Sequence, residues 1–101
     1  MKSLVELKVP LSPRGVEVEL PRSLKISQVI ERALATEPSG IEERRALAAL
    51  RRELEAQPCA FFAVDAAGKL RQVRAHDSLA EIPLSGQKIH IVVQGYTPLG
   101  I

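Results

Sequence analysis

The stretch SLAEIPLSGQKIHIVVQ, residues 78–94, decides how the rest of the chain is read. A short leucine-containing turn and a Ser-Gly turn lead into Ile89-His90-Ile91-Val92-Val93. A short apolar run bounded by turn signals and rich in β-branched residues reads as a buried strand. Leu79, Leu84, Ile89, Ile91 and Val93 are expected to close the core. His90 and Val92 alternate with the core residues, so they are expected to point to the opposite, outer face of the sheet.

Such a strand needs neighbours. Val5, Leu7 and Val9 alternate with Glu6 and Lys8, the pattern of a half-buried strand. Two prolines and Gly15 then break the chain, and Val16, Val18 and Leu20 alternate with Glu17 and Glu19. Two alternating runs about a short turn predict a hairpin, with Glu6 and Lys8 facing Glu17 and Glu19 on its outer surface. Ile26, Val29, Ile30, Ala33 and Leu34 recur at helical spacing and predict a helix from about Lys25 to Thr36, stopped by Pro38.

A second helix is expected over about 40–56. Ser39 and Glu42 have the spacing of a capping box. The apolar residues of this helix are Ile41, Ala46, Leu47, Ala49, Leu50 and Leu54, and the helix is placed at the sheet edge or with some leucines turned to a partner. Cys59-Ala60-Phe61-Phe62-Ala63-Val64 reads as a third strand. Asp65 to Lys69 is a tight turn in which Gly68 can supply a positive φ. Leu70 to Val73 is a short return strand. The order predicts an α+β fold over residues 1–94, a mixed four- to five-stranded sheet with a packed helix and an extra inserted helix. Residues 95–101, GYTPLGI, are expected to be a flexible tail.

Composition narrows the function classes. The 101 residues are 46% apolar and 26% charged, with a formal net charge of +2, the balance of one soluble globular domain. The charges are mixed along the chain, and the only aromatic residues are Phe61, Phe62 and Tyr96. That is poor material for base stacking, so a nucleic-acid partner is not expected. No apolar run approaches the roughly 18 residues of a membrane span, and the start MKSLVELKV lacks a signal-peptide apolar segment. A cytoplasmic location is the expectation.

Few residues suggest chemistry. One cysteine, Cys59, excludes an internal disulfide and a cysteine-based zinc site. It reads as a buried structural thiol, with no base fixed beside it. His76, Asp77 and Ser78 are triad residue types, but neighbours in one loop do not place base and nucleophile correctly. The two histidines have no metal-ligand spacing with the acids, and Gly40, Gly68 and Gly86 are isolated rather than a phosphate loop. No catalytic residue, metal or cofactor is assigned, and the chain is not expected to be an enzyme. The arginines of the second helix form either a solvated face balanced by Glu42, Glu43, Glu53 and Glu55 or a basic surface for an acidic partner.

The C-terminal third, FAVDAAGKLRQVRAHDSLAEIPLSGQKIHIVV, resembles the ubiquitin-like β-grasp family, in particular prokaryotic-type ubiquitin-like proteins. Ala67-Gly68-Lys69 stands where ubiquitin also has Ala-Gly-Lys, and Ile89-His90-Ile91-Val92 is similar to its Leu-His-Leu-Val. Nearer the start, KISQVIERAL resembles the beginning of ubiquitin's helix. The match covers most of the chain by pattern more than identity. The second helix is an insertion relative to that plan. Asp65 is expected to blunt the strip where ubiquitin carries part of its apolar recognition patch. The chain ends Pro98-Leu99-Gly100-Ile101, without a terminal Gly-Gly.

The resemblance implies a protein-binding module docking in a larger assembly, through Lys69, Arg71, His90 and Val92. It also implies an alternative, a modifier or sulfur carrier activated through Gly100 once Ile101 is removed. The partners would then be an activating enzyme of the E1 type and a peptidase.

Overall fold

A computed structural model of the protein describes residues 2–10, 12, 14–55, 59–84 and 87–95. It is an α+β structure: β1 (Lys2–Lys8), β2 (Val16–Pro21), α1 (Ile26–Leu34), α2 (Ile41–Glu55), β3 (Cys59–Val64), β4 (Leu70–Val73), a 3-10 turn (Leu79–Glu81) and β5 (Lys88–Gly95). The five strands form one mixed sheet in the order β2-β1-β5-β3-β4. β1 runs antiparallel to β2 and parallel to β5, while β3 is antiparallel to both β5 and β4. The strand inferred from IHIVV is thus the middle of the sheet, paired along both edges.

One face of the sheet is the core. Val5 and Leu7 of β1, Ile89, Ile91 and Val93 of β5, Ala63 of β3 and Val73 of β4 are all buried there. Ile26, Val29 and Ala33 pack onto this face from α1, and Ala46, Leu47 and Leu50 from α2, in one continuous cluster. The second helix therefore does not lie at the sheet edge. It contacts β5, β2, β1, β3 and α1. The 15 residues of α2 add apolar area that a sheet with one short helix would leave wet. One core expectation changes in detail. Leu84 is 42% exposed, and Ile82, 1% exposed, takes the core position after the 3-10 turn. Ile41, grouped by sequence with the apolar residues of its helix, is 67% exposed.

The start of α1 is held by the segment before β5. The amides of Ile26 and Ser27 donate to the carbonyls of Asp77 (3.0 Å) and Ala75 (2.9 Å), and the Leu79 amide donates to Leu24 (2.9 Å). Two amides at the helix start, which have no partner within the helix, are satisfied this way. Arg22 ties the same region from below, its Nη2 donating to the Ile82 carbonyl at 2.9 Å. Helix α2 starts one residue later than the capping-box reading required. The Gly40 carbonyl accepts the first helical bond, from the Arg44 amide, which makes Gly40 the N-cap. The third helical residue is then Glu43, not Glu42. The Ser39 amide donates to Glu43 Oε2 at 2.8 Å and the Ser39 hydroxyl donates to the same oxygen.

Two glycines are demanded by geometry. Gly68 has a φ of +83° in the Asp65–Lys69 turn. At Gly15 a Cβ would come within 2.7 Å of the Leu7 carbonyl oxygen, so the hairpin closes only around a residue without one. The end of the second helix near 56–58, the turn at 85–86 and the tail beyond Gly95 lie outside the described residues. No helix among the described residues is long and apolar enough to cross a membrane.

Leu50 is fully buried between α2 and the sheet. Leu50→Ala is expected to cost about 2–5 kcal/mol of folding stability, the range for deleting a buried leucine side chain. Urea unfolding measures it, and a cost below about 1 kcal/mol would mean that α2 is not part of the core.

Candidate functional site

Both helices cover the same side of the sheet, and among the described residues no helix covers the other face. Residue alternation fixes what that face displays. Because Ile89, Ile91 and Val93 face the core, His90 and Val92 face outward, part-buried between neighbouring strands. The register places Lys8, Val92, Phe62 and Gln72 in one row across β1, β5, β3 and β4. Val64 and Leu70 are paired on the same face, and Leu70 is 59% exposed. The result is an apolar strip of Val92, Phe62, Val64 and Leu70.

A charged border runs beside this strip. Glu6 and Glu17 lie directly opposite each other on β1 and β2, a like-charge juxtaposition that disfavours the pairing. The partners of these carboxylates come from β5 rather than from Lys8. His90 Nδ1 lies 2.9 Å from Glu6 Oε1, and the Lys88 ammonium donates to Glu17 Oε2. The Glu17 carboxylate bonded to Lys88 holds that lysine's pKa above its ordinary value. The central strand thus supplies a partner to each carboxylate of the hairpin edge.

The residues expected to form one binding surface do not all share it. His90 and Val92 lie together on the open face. Arg71 pairs with Ala63, which pairs with Ile91, so Arg71 belongs to the helix side of the sheet. There its guanidinium approaches the Glu81 carbonyl at 3.5 Å. Lys69 is exposed in the turn before β4, where its amide donates to Asp65 Oδ1 at 2.9 Å. The Ala67 amide donates to the same Asp65 oxygen, also at 2.9 Å. Asp65 therefore folds back into its own turn instead of blunting the apolar strip. Gly100 lies outside the described residues.

Phe62, Val64, Leu70 and Lys88 are the members of this surface that sequence reasoning missed, while Glu6 was read as facing outward but not as part of it. The parity of Phe62 and Val64 was legible in principle. With Phe61 and Phe62 adjacent, however, composition alone does not say which ring is inside; the register does.

The other chemical candidates are structural. The Ser78 hydroxyl donates to the Arg22 carbonyl at 3.2 Å and accepts from the Ala80 amide. Asp77 Oδ2 accepts from the Arg74 amide at 2.9 Å. Both side chains cap turns. A cavity of about 520 Å³ opens between the hairpin turn, the end of α1 and the start of α2. Two of its charged groups are engaged with neighbours: Arg14 pairs with Glu42 at 2.8 Å, and Glu43 holds Ser39. Among the described residues, no three His, Cys, Asp or Glu side chains gather as a metal-ligand set.

Cys59 is part-buried at the start of β3. Burial, then the nearby Glu53 carboxylate, push its thiol pKa up. Glu53 itself accepts from the Gly95 amide at 2.7 Å, tying α2 to the end of β5. No protein-family model matches the chain, and no curated protein matches it.

Two outcomes are expected. At neutral pH, Cys59 should be alkylated by iodoacetamide more slowly than in the urea-unfolded chain, because the thiolate is the reactive form; equal rates by mass spectrometry would contradict the burial. The Lys88–Glu17 pair, with a folded lysine pKa above its unfolded value, contributes stability that is complete below the unfolded pKa. That contribution is lost as pH rises through the folded pKa. Lys88→Met should therefore lower the denaturation midpoint near neutrality and flatten its decline at alkaline pH.

Proposed function

We propose that the chain is a non-catalytic, ubiquitin-like β-grasp module that docks onto another protein through the open face of its sheet. The observation that carries this reading is the apolar strip of Val92, Phe62, Val64 and Leu70 beside the His90–Glu6 and Lys88–Glu17 pairs. An uncovered sheet face with contiguous apolar side chains and a polar border has the layout of a protein-binding patch. The sheet order, with its parallel central pair and a helix across one face, is compatible with the β-grasp plan. Asp77 and Ser78 are occupied as turn caps, which favours recognition over catalysis at that loop.

In the docking reading, Val92 and Phe62 are the anchors, and His90 and Lys88 set orientation at the rim. Aromatic and aliphatic anchors at the centre of such a patch supply most of the binding energy, while rim charges mainly affect the rate of encounter. The alternative, a modifier or sulfur carrier joined through a trimmed Gly100, draws on the resemblance and on the position of that glycine.

A photo-crosslinking residue at position 62, introduced in the native cell, is expected to trap a protein partner. The same residue at position 31, on the wet side of α1, is not. Val92→Asp should weaken binding of the trapped partner by about 2 kcal/mol or more, the loss typical of a central anchor. Equal trapping from both positions would contradict docking through the sheet. Intact mass of the native protein separates the alternative: loss of Ile101 together with covalent adducts abolished by Gly100→Ala would favour the modifier.

A further inference from the structure

We propose that the outward face of α2 is a second docking surface, and that it fits an acidic amphipathic helix of a partner protein. The inference goes beyond the sheet-face reading and stands on other residues. α2 packs on the covered side of the sheet, so its free face points away from Val92 and Phe62.

The free face has a defined pattern. Ile41, 67% exposed, and Ala48 form an apolar ridge seven residues apart. Arg44 and Arg51 flank it on one side and Arg45 and Arg52 on the other, each pair again seven apart and all four exposed. Seven residues are two helical turns, about 10 Å. An apolar seam with charges beside it at heptad spacing is the arrangement by which one helix reads another.

The arginines are not balanced by the acids of their own helix. Glu42 pairs with Arg14 at 2.8 Å, Glu43 holds the Ser39 cap, and Glu53 accepts from the Gly95 amide. Among the described residues of α2, Glu55 is the acid with no such partner, and it stands exposed seven residues beyond Ala48, where it ends the apolar ridge. Among the described residues, none of the four arginines forms an ion pair. Arg51 instead donates to the Leu34 carbonyl at 3.2 Å, which holds its guanidinium at the rim of a groove of about 390 Å³. Leu34, Pro38, Leu47 and Ala48 line that groove between Arg44 and Arg51, with the exposed Glu37 as its one acid, and offer a seat for an apolar side chain.

Charge complementarity therefore selects an acidic occupant, and the ridge selects the kind. A phosphate backbone would use the arginines but gain nothing from Ile41, and the stripe has no aromatic residue on which a base could stack. A helix with an apolar seam and Glu or Asp at its flanks uses both features.

The test titrates the full-length ¹⁵N-labelled chain with three probes. The first is a synthetic helical peptide with leucines along a heptad seam and glutamates beside them. The second has the same composition, scrambled to destroy the seam. The third is a poly(U) RNA of matching charge. The seam peptide is expected to shift amides between Ile41 and Arg52 and to bind at least tenfold more tightly than either other probe. Arg45→Glu with Arg52→Glu should weaken it at least tenfold, and Ile41→Ser should weaken it as well; both variants change exposed side chains only. Equal binding of the two peptides, tighter binding of the RNA, shifts centred on β5 and β3, or no binding at millimolar peptide would each overturn the proposal.

Discussion

The structure depends on β5 being paired along both of its edges, parallel to β1 and antiparallel to β3. Ile89, Ile91 and Val93 are completely buried. A one-residue slip would turn all three to solvent and drive His90 and Val92 into the core, so the register is strongly specified. The same period of two that fixes the core therefore fixes the open face. His90 meets Glu6, and Val92 meets Phe62, because the isoleucines have nowhere else to go. Core and candidate surface are two sides of one strand.

The rest of the chain serves this arrangement in layers. The loop before β5 holds the start of α1 through carbonyls at Ala75 and Asp77. Helix α2 reaches across the sheet and is tied to the end of β5 by Glu53. Its outer side, freed from packing, is left with a charge pattern of its own. Helix α2 is thus integral to the core on one side and exposed on the other.

Much of the fold was legible in the sequence because local periodicity and burial agree. Residues 59–64 and 70–73, the positive φ at Gly68, the hairpin and the alternation in β5 all follow from patterns within a few residues. What was not legible depends on long-range register or on one-residue choices. Ser39 holds Glu43 rather than Glu42 because the helix begins at Ile41, and two adjacent glutamates look alike in sequence. Ile82 and not Leu84 enters the core because the 3-10 turn sets the phase after it. Of the candidate site, His90 and Val92 could be read from alternation. Arg71 could not be excluded and Phe62 could not be included without knowing which residues β3 places opposite β4 and β5.

Native-state amide hydrogen exchange tests the central role of β5 most directly. Amides bonded into its two ladders should exchange only through global unfolding, with the same free energy as urea denaturation, while the edge strand β4 exchanges through smaller openings. Exchange of β5 amides as fast as those of β4 would contradict a doubly paired central strand, and with it the assignment of His90 and Val92 to a fixed open face.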